Sequence, residues 1–176
     1  MKNLQTKNYE LHFPVQSDVD ILFRYRSNIE IAHSEGRIPD KSRQETAKFL
    51  TQLLSKIDAG IVNYWLISDH TKNHLGGISI WGFNQEKAEA EVGYDILPKF
   101  QGKGVISEVF PEIEQYAFTV LKLQKLSVYT SKIDILSQHI LRKNHYRLIE
   151  HWIEKNLKGE PTDMFHFAKT IEEYQK

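Results

Sequence analysis

The sequence predicts a mixed α/β fold: a mostly antiparallel, twisted sheet of about seven strands with helices on both faces. Three observations carry that prediction. Strand-like and helix-like runs interleave along the whole chain in the order β-α-α-β-β-β-α-β-α-β-β. Three consecutive strand-like runs are joined by turn residues alone, the pattern of an antiparallel meander. The third leads through a helical run into a further strand, the pattern of a strand–helix–strand crossover.

Each element follows from local chemistry. Residues 8–14, NYELHFP, alternate briefly and read as the first strand. Ser17-Asp18 offers an N-cap to the helix VDILFRYRSN. Residues 33–42, HSEGRIPDKS, are polar with Gly and Pro and read as a loop. Ser42 caps a second helix, RQETAKFLTQLLSKI, whose Ala47, Leu50, Leu53, Leu54 and Ile57 form an apolar face, and Asp58-Ala59-Gly60 ends it. The meander is IVNYWLIS, GISIWGF and AEVGYDIL, with turns at HTKNHLG and NQEKAE. In the third run Val92, Tyr94 and Ile96 share one face, and Glu91, Gly93 and Asp95 share the other. Tyr64, Trp65 and Trp81 read as core aromatics.

Further on, Val105, Ile106, Val109, Ile113, Tyr116, Ala117 and Val120 recur at helical spacing. Pro111 lies inside this helix, where it removes one N–H donor and predicts a kink beyond the first turn. KLSVYT is a strand and LSQHILRKN a short helix. YRLIEHWI and DMFHFAKT close the chain as strands around the turn KNLKGEPT.

The bulk numbers bound the function. A chain of 176 residues without repeats or a Pro/Gly/Ser-rich linker predicts one domain spanning 1–176. Lys+Arg and Asp+Glu both total 23, which argues against a general nucleic-acid binder. The absence of cysteine excludes disulfides, thiolate metal sites and a cysteine nucleophile. His70 and His74 are spaced H-x-x-x-H, but they fall in a turn with no third ligand nearby, so no metal is expected. The N-terminal residues carry no apolar h-region and no run is long enough to span a bilayer, which predicts a cytoplasmic protein without a membrane partner.

The segment PKFQGKGVIS, Pro98 to Ser107, separates the third meander strand from the helix. Glycines just before a helix start let several N–H groups converge on one anion, and Lys103 adds positive charge. The same glycines also suit a plain tight turn. The GxxxxGK[ST] phosphate loop is absent, and the dinucleotide GxGxxG pattern fails at Ser107.

The run AEVGYDILPKFQGKGVISEVF, Ala90 to Phe110, resembles the acetyl-CoA-binding segment of the GNAT acyltransferases, and within them the branch containing the ribosomal-protein N-acetyltransferases. That superfamily carries a Q/R-x-x-G-x-G/A signature. Gln101 and Gly104 match it, and Ile106 stands where Gly or Ala is usual. Downstream, Asp134-Ile135-Leu136-Ser137 occupies the place of the branch's N-x-x-S segment, and His145-Tyr146 replaces its Gly-Phe pair. Left-handed helix ends favour glycine, so His145 is a departure.

The resemblance implies a sheet splayed between the family's fourth and fifth strands, with acetyl-CoA as cosubstrate in the gap. It implies that Asp95, Ile96 and Leu97 run along the pantetheine. Gln101, Gly102, Lys103, Gly104, Val105, Ile106 and Ser107 would hold the diphosphate, and Asp134 would lie among the cofactor-binding residues. Ser137 becomes the candidate proton donor to the leaving thiolate, and Glu91 the candidate base, with water as a possible relay. Arg24 and Arg26 lie where the family often builds its acceptor pocket and read otherwise as solvated helix residues. The implied activity is transfer of an acetyl group to a primary amine by direct attack in a ternary complex. The amine is a protein N-terminus, a polyamine or a small molecule, and the chain is a monomer or homodimer. The rival is a non-catalytic acyl-CoA-binding module of the same fold.

Overall fold

The computed structural model describes every residue except 1, 35, 85, 87, 157 and 158, together with the side chain at 34 excepted. Parts of the expected loop at 33–42 and of the turns NQEKAE and KNLKGEPT therefore lie outside the described residues. The strands are β1 (Leu4–Gln5), β2 (Tyr9–His12), β3 (Asn63–Asp69), β4 (His74–Trp81), β5 (Glu89–Ile96), β6 (Lys125–Ser131), β7 (Arg147–Lys155) and β8 (Pro161–Thr170). The helices are α1 (Val19–Arg26), α2 (Ile29–Ser34), α3 (Arg43–Asp58), α4 (Val105–Gln115), α5 (Ile135–Lys143) and α6 (Ile171–Tyr174). Strand order in the sheet is β1-β2-β3-β4-β5-β6-β8-β7. The β1/β2, β2/β3, β6/β8 and β7/β8 pairs are antiparallel, and β5/β6 is parallel. The expected mixed, mostly antiparallel sheet with a strand–helix–strand crossover is what forms.

The chain divides into two compact units, Met1–Ser79 with Tyr94–Val105, and Ile80–Gly93 with Ile106–Lys176. In the first, α1 and α3 lay their apolar stripes on β3. Leu22, Leu50 and Leu66 are fully buried there, with Val19, Ile21, Leu54 and Tyr64 packed around them. Each such side chain contributes about 1.5–3 kcal/mol of burial. Ser42 caps α3 by accepting from the Glu45 amide at 3.3 Å, and Gly60, at φ +67°, turns the chain out of its C-terminal end. In the second unit, Val109, Phe110 and Ile113 of α4 are fully buried, as are Leu126, Leu141 and Phe167. Glu114 and Lys169 form a buried ion pair at 3.0 Å.

Several expectations need correction. The sheet has eight strands, because the two-residue β1 pairs with β2. The loop reading of 33–42 is too long, because α2 runs from Ile29 to Ser34. No side chain caps α1. Instead a 3-10 turn, Gln16–Asp18, precedes it, and the Asp18 carboxylate accepts from the Val15 amide at 2.8 Å. Arg26 is not a solvated charge. It holds Asp40 through two bonds of 2.8 and 3.1 Å and lies 3.6 Å over the Phe49 ring. His74 and Leu75 belong to β4 rather than to a turn. Trp81 is 48% exposed, because β4 ends there and the strand's outward face carries it. Tyr64 packs against core leucines and Trp65 is fully buried, as expected. The helix continues through Pro111 to Gln115 and closes as a π turn, Tyr116–Val120.

Candidate functional site

The segment that raised the phosphate question begins with a 3-10 turn, Pro98–Phe100, at the end of β5. Gly102 and Gly104 then take left-handed φ values of +69° and +81°, a region glycine enters without steric cost. A Cβ built on either would meet no atom within 4 Å, so the backbone faces open space there. No amide from Gly102 to Ser107 donates to a carbonyl of the surrounding turns. The first N–H groups of α4 have no intrahelical partner either, and they carry the positive end of the helix dipole. Lys103 and Lys99 stand 5.5 and 4.6 Å over the Phe100 ring. This arrangement suits a bound anion of diphosphate size, and it fits the nucleotide end of a coenzyme A.

The Gln101 side chain turns inward, donating Nε2 to the Ile96 carbonyl at 2.9 Å and so tying the loop to the end of β5. The Leu97 amide donates to the Leu75 carbonyl at 2.8 Å. The Ile96 carbonyl and the Leu97 amide thus each have a partner within the chain. The Ile96 amide points to the opposite strand edge by the alternation of the backbone. Gly76 makes the close approach of β4 possible, since a Cβ there would sit 2.0 Å from the Asp95 carbonyl oxygen and 2.9 Å from the Ile96 Cα.

In the second unit Asp134 and Ser137 come together at the start of α5. The Asp134 carboxylate accepts from the Ser137 amide at 3.0 Å and from the Ser137 hydroxyl at 2.6 Å, with Thr130 Oγ1 at 3.4 Å. Asp134 is thus the N-cap, and Ser137, 8% exposed, is not. The Glu91 carboxylate lies against Gly82, where a Cβ would be 3.0 Å from Oε1. Burial raises its pKa above the ordinary value. No hydrogen bond joins Glu91 to Asp134 or Ser137. Instead Glu91 is the register partner of Ser127, in a β5/β6 pairing only three residues long.

Sequence reasoning missed Ser127, Tyr129 and His166. His166 Nε2 lies 2.9 Å from Ser127 Oγ, and its ring stacks on Tyr129 with centroids 4.5 Å apart. The period-2 alternation of KLSVYT and DMFHFAKT does put these side chains on one face of each strand, but nothing local specifies that β8 lies next to β6. His74 is largely buried, and among the described residues no group of three His, Asp or Glu side chains is arranged to hold a metal ion. No helix among them is long and apolar enough to cross a membrane.

Residues 10–147 match the family described as the acetyltransferase (GNAT) domain. The chain belongs to that family. It is 25% identical over 179 residues to the uncharacterized N-acetyltransferase p20 of Bacillus licheniformis, covering 99% of each chain. Its fold superposes on the spermidine N-acetyltransferase of Vibrio cholerae, solved with CoA and spermine, at a TM-score of 0.84 and 20% identity, covering 96% of this chain and 98% of that one. The ribosomal-protein alpha-N acetyltransferase RimL, solved in complex with coenzyme A, matches at a TM-score of 0.84 and 18% identity, over 97% of this chain and 98% of that one. The resemblance in the sequence therefore holds for family, fold and enzyme class.

Proposed function

We propose that the chain, as one acyltransferase domain over residues 1–176, is an acetyl-CoA-dependent N-acetyltransferase that moves an acetyl group to a primary amine by direct attack. The observation that carries the reading is the 102–107 segment, with two left-handed glycines and amides unspent on the surrounding turns at the start of α4. The two CoA-bound structural neighbours support the same cosubstrate.

Bound acetyl-CoA would supply an activated thioester carbonyl. The amides from Gly102 to Ser107 would hold its diphosphate, with the Ser107 hydroxyl and Lys103 adding to them and Gln101 fixing the loop. The Ile96 amide would meet the pantetheine, beside Asp95 and Leu97. The Ser137 hydroxyl, which donates to Asp134 at 2.6 Å, would turn from that carboxylate to give its proton to the leaving sulfur. Glu91, its pKa raised by burial, would stand as the carboxylate facing the amine. The acceptor class is a primary amine carried by a protein N-terminus, a polyamine or a small molecule.

A thermal-shift comparison tests the cradle. A ligand at a hundredfold its Kd stabilises the folded state by about 2.7 kcal/mol. Acetyl-CoA should give a shift of that order and pantetheine, which lacks the diphosphate, a much smaller one. Equal shifts would discard the cradle. Gly104→Val, a β-branched residue forced to positive φ beside the ligand, should weaken acetyl-CoA binding. Thiol release against a panel of primary amines separates an enzyme from a binding module, which would show the thermal shift and no release.

A further inference from the structure

The strand face that carries Glu91 also carries a hydrogen-bonded pair that the reading above leaves without a task. Ser127 on β6 is 5% exposed, and its Oγ lies 2.9 Å from His166 Nε2 on β8. Tyr129, two residues along β6, is the register partner of His166 and stacks on its ring at an interplanar angle of 21°. Trp152 meets Tyr129 edge-on, with centroids 5.9 Å apart. Glu91 is paired with Ser127 in a parallel register, so both side chains leave the same face of the sheet. The charge of Glu91 is felt at Tyr129, whose phenol pKa is raised by burial first and by Glu91 second. Glu91, Ser127 and His166 therefore stand in a row across β5, β6 and β8.

The electrostatics suit proton traffic along that row. His166 has its pKa lowered, by burial first and then by Lys125, against the opposing pull of Glu150 and Glu89. Lys125 is itself paired to Glu89 at 2.7 Å. A histidine so placed is neutral near pH 7 and ready to accept a proton. Burial moves Glu91 upward and His166 downward, which brings two ordinarily distant titrations toward each other beside one serine. A serine is a suitable bridge, since one hydroxyl accepts and donates together.

We propose that Ser127 and His166 form the proton relay for the acceptor amine, with Glu91 as the counter-charge of the incoming ammonium. This inference rests on the acetyltransferase reading. The ammonium gives one N–H proton to Ser127 Oγ while Ser127 gives its own proton to His166 Nε2. The freed lone pair on nitrogen attacks the thioester carbonyl carbon. The C–N bond forms and the C–S bond breaks, with its electron pair going to sulfur, which takes the proton of Ser137. The new amide nitrogen gives its second proton through water to the Ser137 oxygen, restoring the hydroxyl. The imidazolium formed at His166 is disfavoured by burial and Lys125, against the smaller pull of Glu150 and Glu89, and so readily returns its proton to water. Ser127 is the group that touches the amine, and His166 acts through it.

The test measures kcat/KM against pH with the amine varied, in the wild type, His166→Gln, Ser127→Ala and Glu91→Gln, with melting temperature and the KM for acetyl-CoA as controls of the fold. Loss of a positioned proton acceptor costs roughly a hundredfold to ten-thousandfold in rate. His166→Gln should fall by at least the lower figure and lose the acidic limb of the profile, with the KM for acetyl-CoA unchanged. Glu91→Gln should keep that limb and raise the KM for the amine. An acidic limb that survives in His166→Gln and vanishes in Glu91→Gln overturns the relay.

A readout independent of activity is the 15N NMR of His166. Neutral His166 should show an unprotonated Nε2 accepting a hydrogen bond, and its titration should move in Ser127→Ala. A proton found on Nε2 means that the bond runs from histidine to serine, and the relay fails even in an active enzyme. A wild type that releases no thiol with any amine removes the acetyltransferase reading itself, whatever tautomer His166 shows.

Discussion

Ser137 gives both of its donors to Asp134. The hydroxyl lies 2.6 Å from one carboxylate oxygen and the amide 3.0 Å from the other. The pair caps α5 and holds the serine hydroxyl in one orientation at the same time. Asp134 is the cap, and the Ser137 hydroxyl must turn from it before its proton can reach a leaving sulfur, so the two roles are separable by substitution.

Asp134→Ala should cost about 1 kcal/mol of stability, the ordinary loss for an N-cap. Ser137→Ala should leave the cap in place and lower turnover by roughly a hundredfold or more, if its proton reaches the leaving sulfur. Turnover and urea midpoint on the two single variants and the double variant decide the matter. Turnover near wild type in Ser137→Ala removes that residue from the chemistry.

Gly76→Ala probes the approach of β4 to β5. The added Cβ would fall 2.0 Å from a backbone oxygen that cannot rotate away. Overpacking of this kind costs about 1–3 kcal/mol, and more where the obstacle is backbone. Circular dichroism melts should show it directly. A melting temperature equal to the wild type would mean that the two strands separate readily.

His74 predicts acid sensitivity in the first unit. Its pKa falls from 6.5 to about 4, through burial first and then the charge of His12, with Asp18 and the Ile67 carbonyl opposing. The unfolded chain binds this proton more readily than the folded one, so stability rises with pH across that window. It is complete above about pH 6.5 and is lost as pH falls toward 4. The shift corresponds to roughly 3 kcal/mol. In His74→Gln the urea midpoint should lose most of its dependence between pH 6.5 and pH 4; a wild-type slope retained by the variant would rule out His74 as its source.

His145 sits at φ +62° just after α5 and makes the glycine-type ending without glycine. The His145 amide donates to the Arg142 carbonyl at 3.0 Å and the Tyr146 amide to the Leu141 carbonyl at 2.9 Å, the two bonds of a Schellman motif. Tyr146 packs edge-on against Phe110 at 5.6 Å. The left-handed conformation costs a non-glycine residue roughly 1–2 kcal/mol, partly offset by the extra unfolded-state freedom of glycine. His145→Gly should therefore raise the melting temperature by a few degrees, and a decrease would show that the imidazole contributes more than the backbone loses.

What the sequence determined by itself is whatever rests on short-range periodicity and turn chemistry. Alternation in AEVGYDIL set Val92, Tyr94 and Ile96 on one face and Glu91, Gly93 and Asp95 on the other. Helical spacing located α3 and α4, Ser42 announced its own helix, and Gln101 with Gly104 carried the family. The two-residue β1 has too few residues to show a period, and the six residues of α2 are too few to show a helical one. Gln101 was read among the cofactor-binding residues, and that its amide closes on the Ile96 carbonyl is a contact only the folded loop reveals. Ser127 and His166 are 39 residues apart, and each alone is an ordinary strand residue. Only the sheet order β5-β6-β8 brings them within one hydrogen bond and sets Glu91 beside them. Strand order is chosen by which apolar faces can be buried together, a non-local sum that no single segment of the chain encodes.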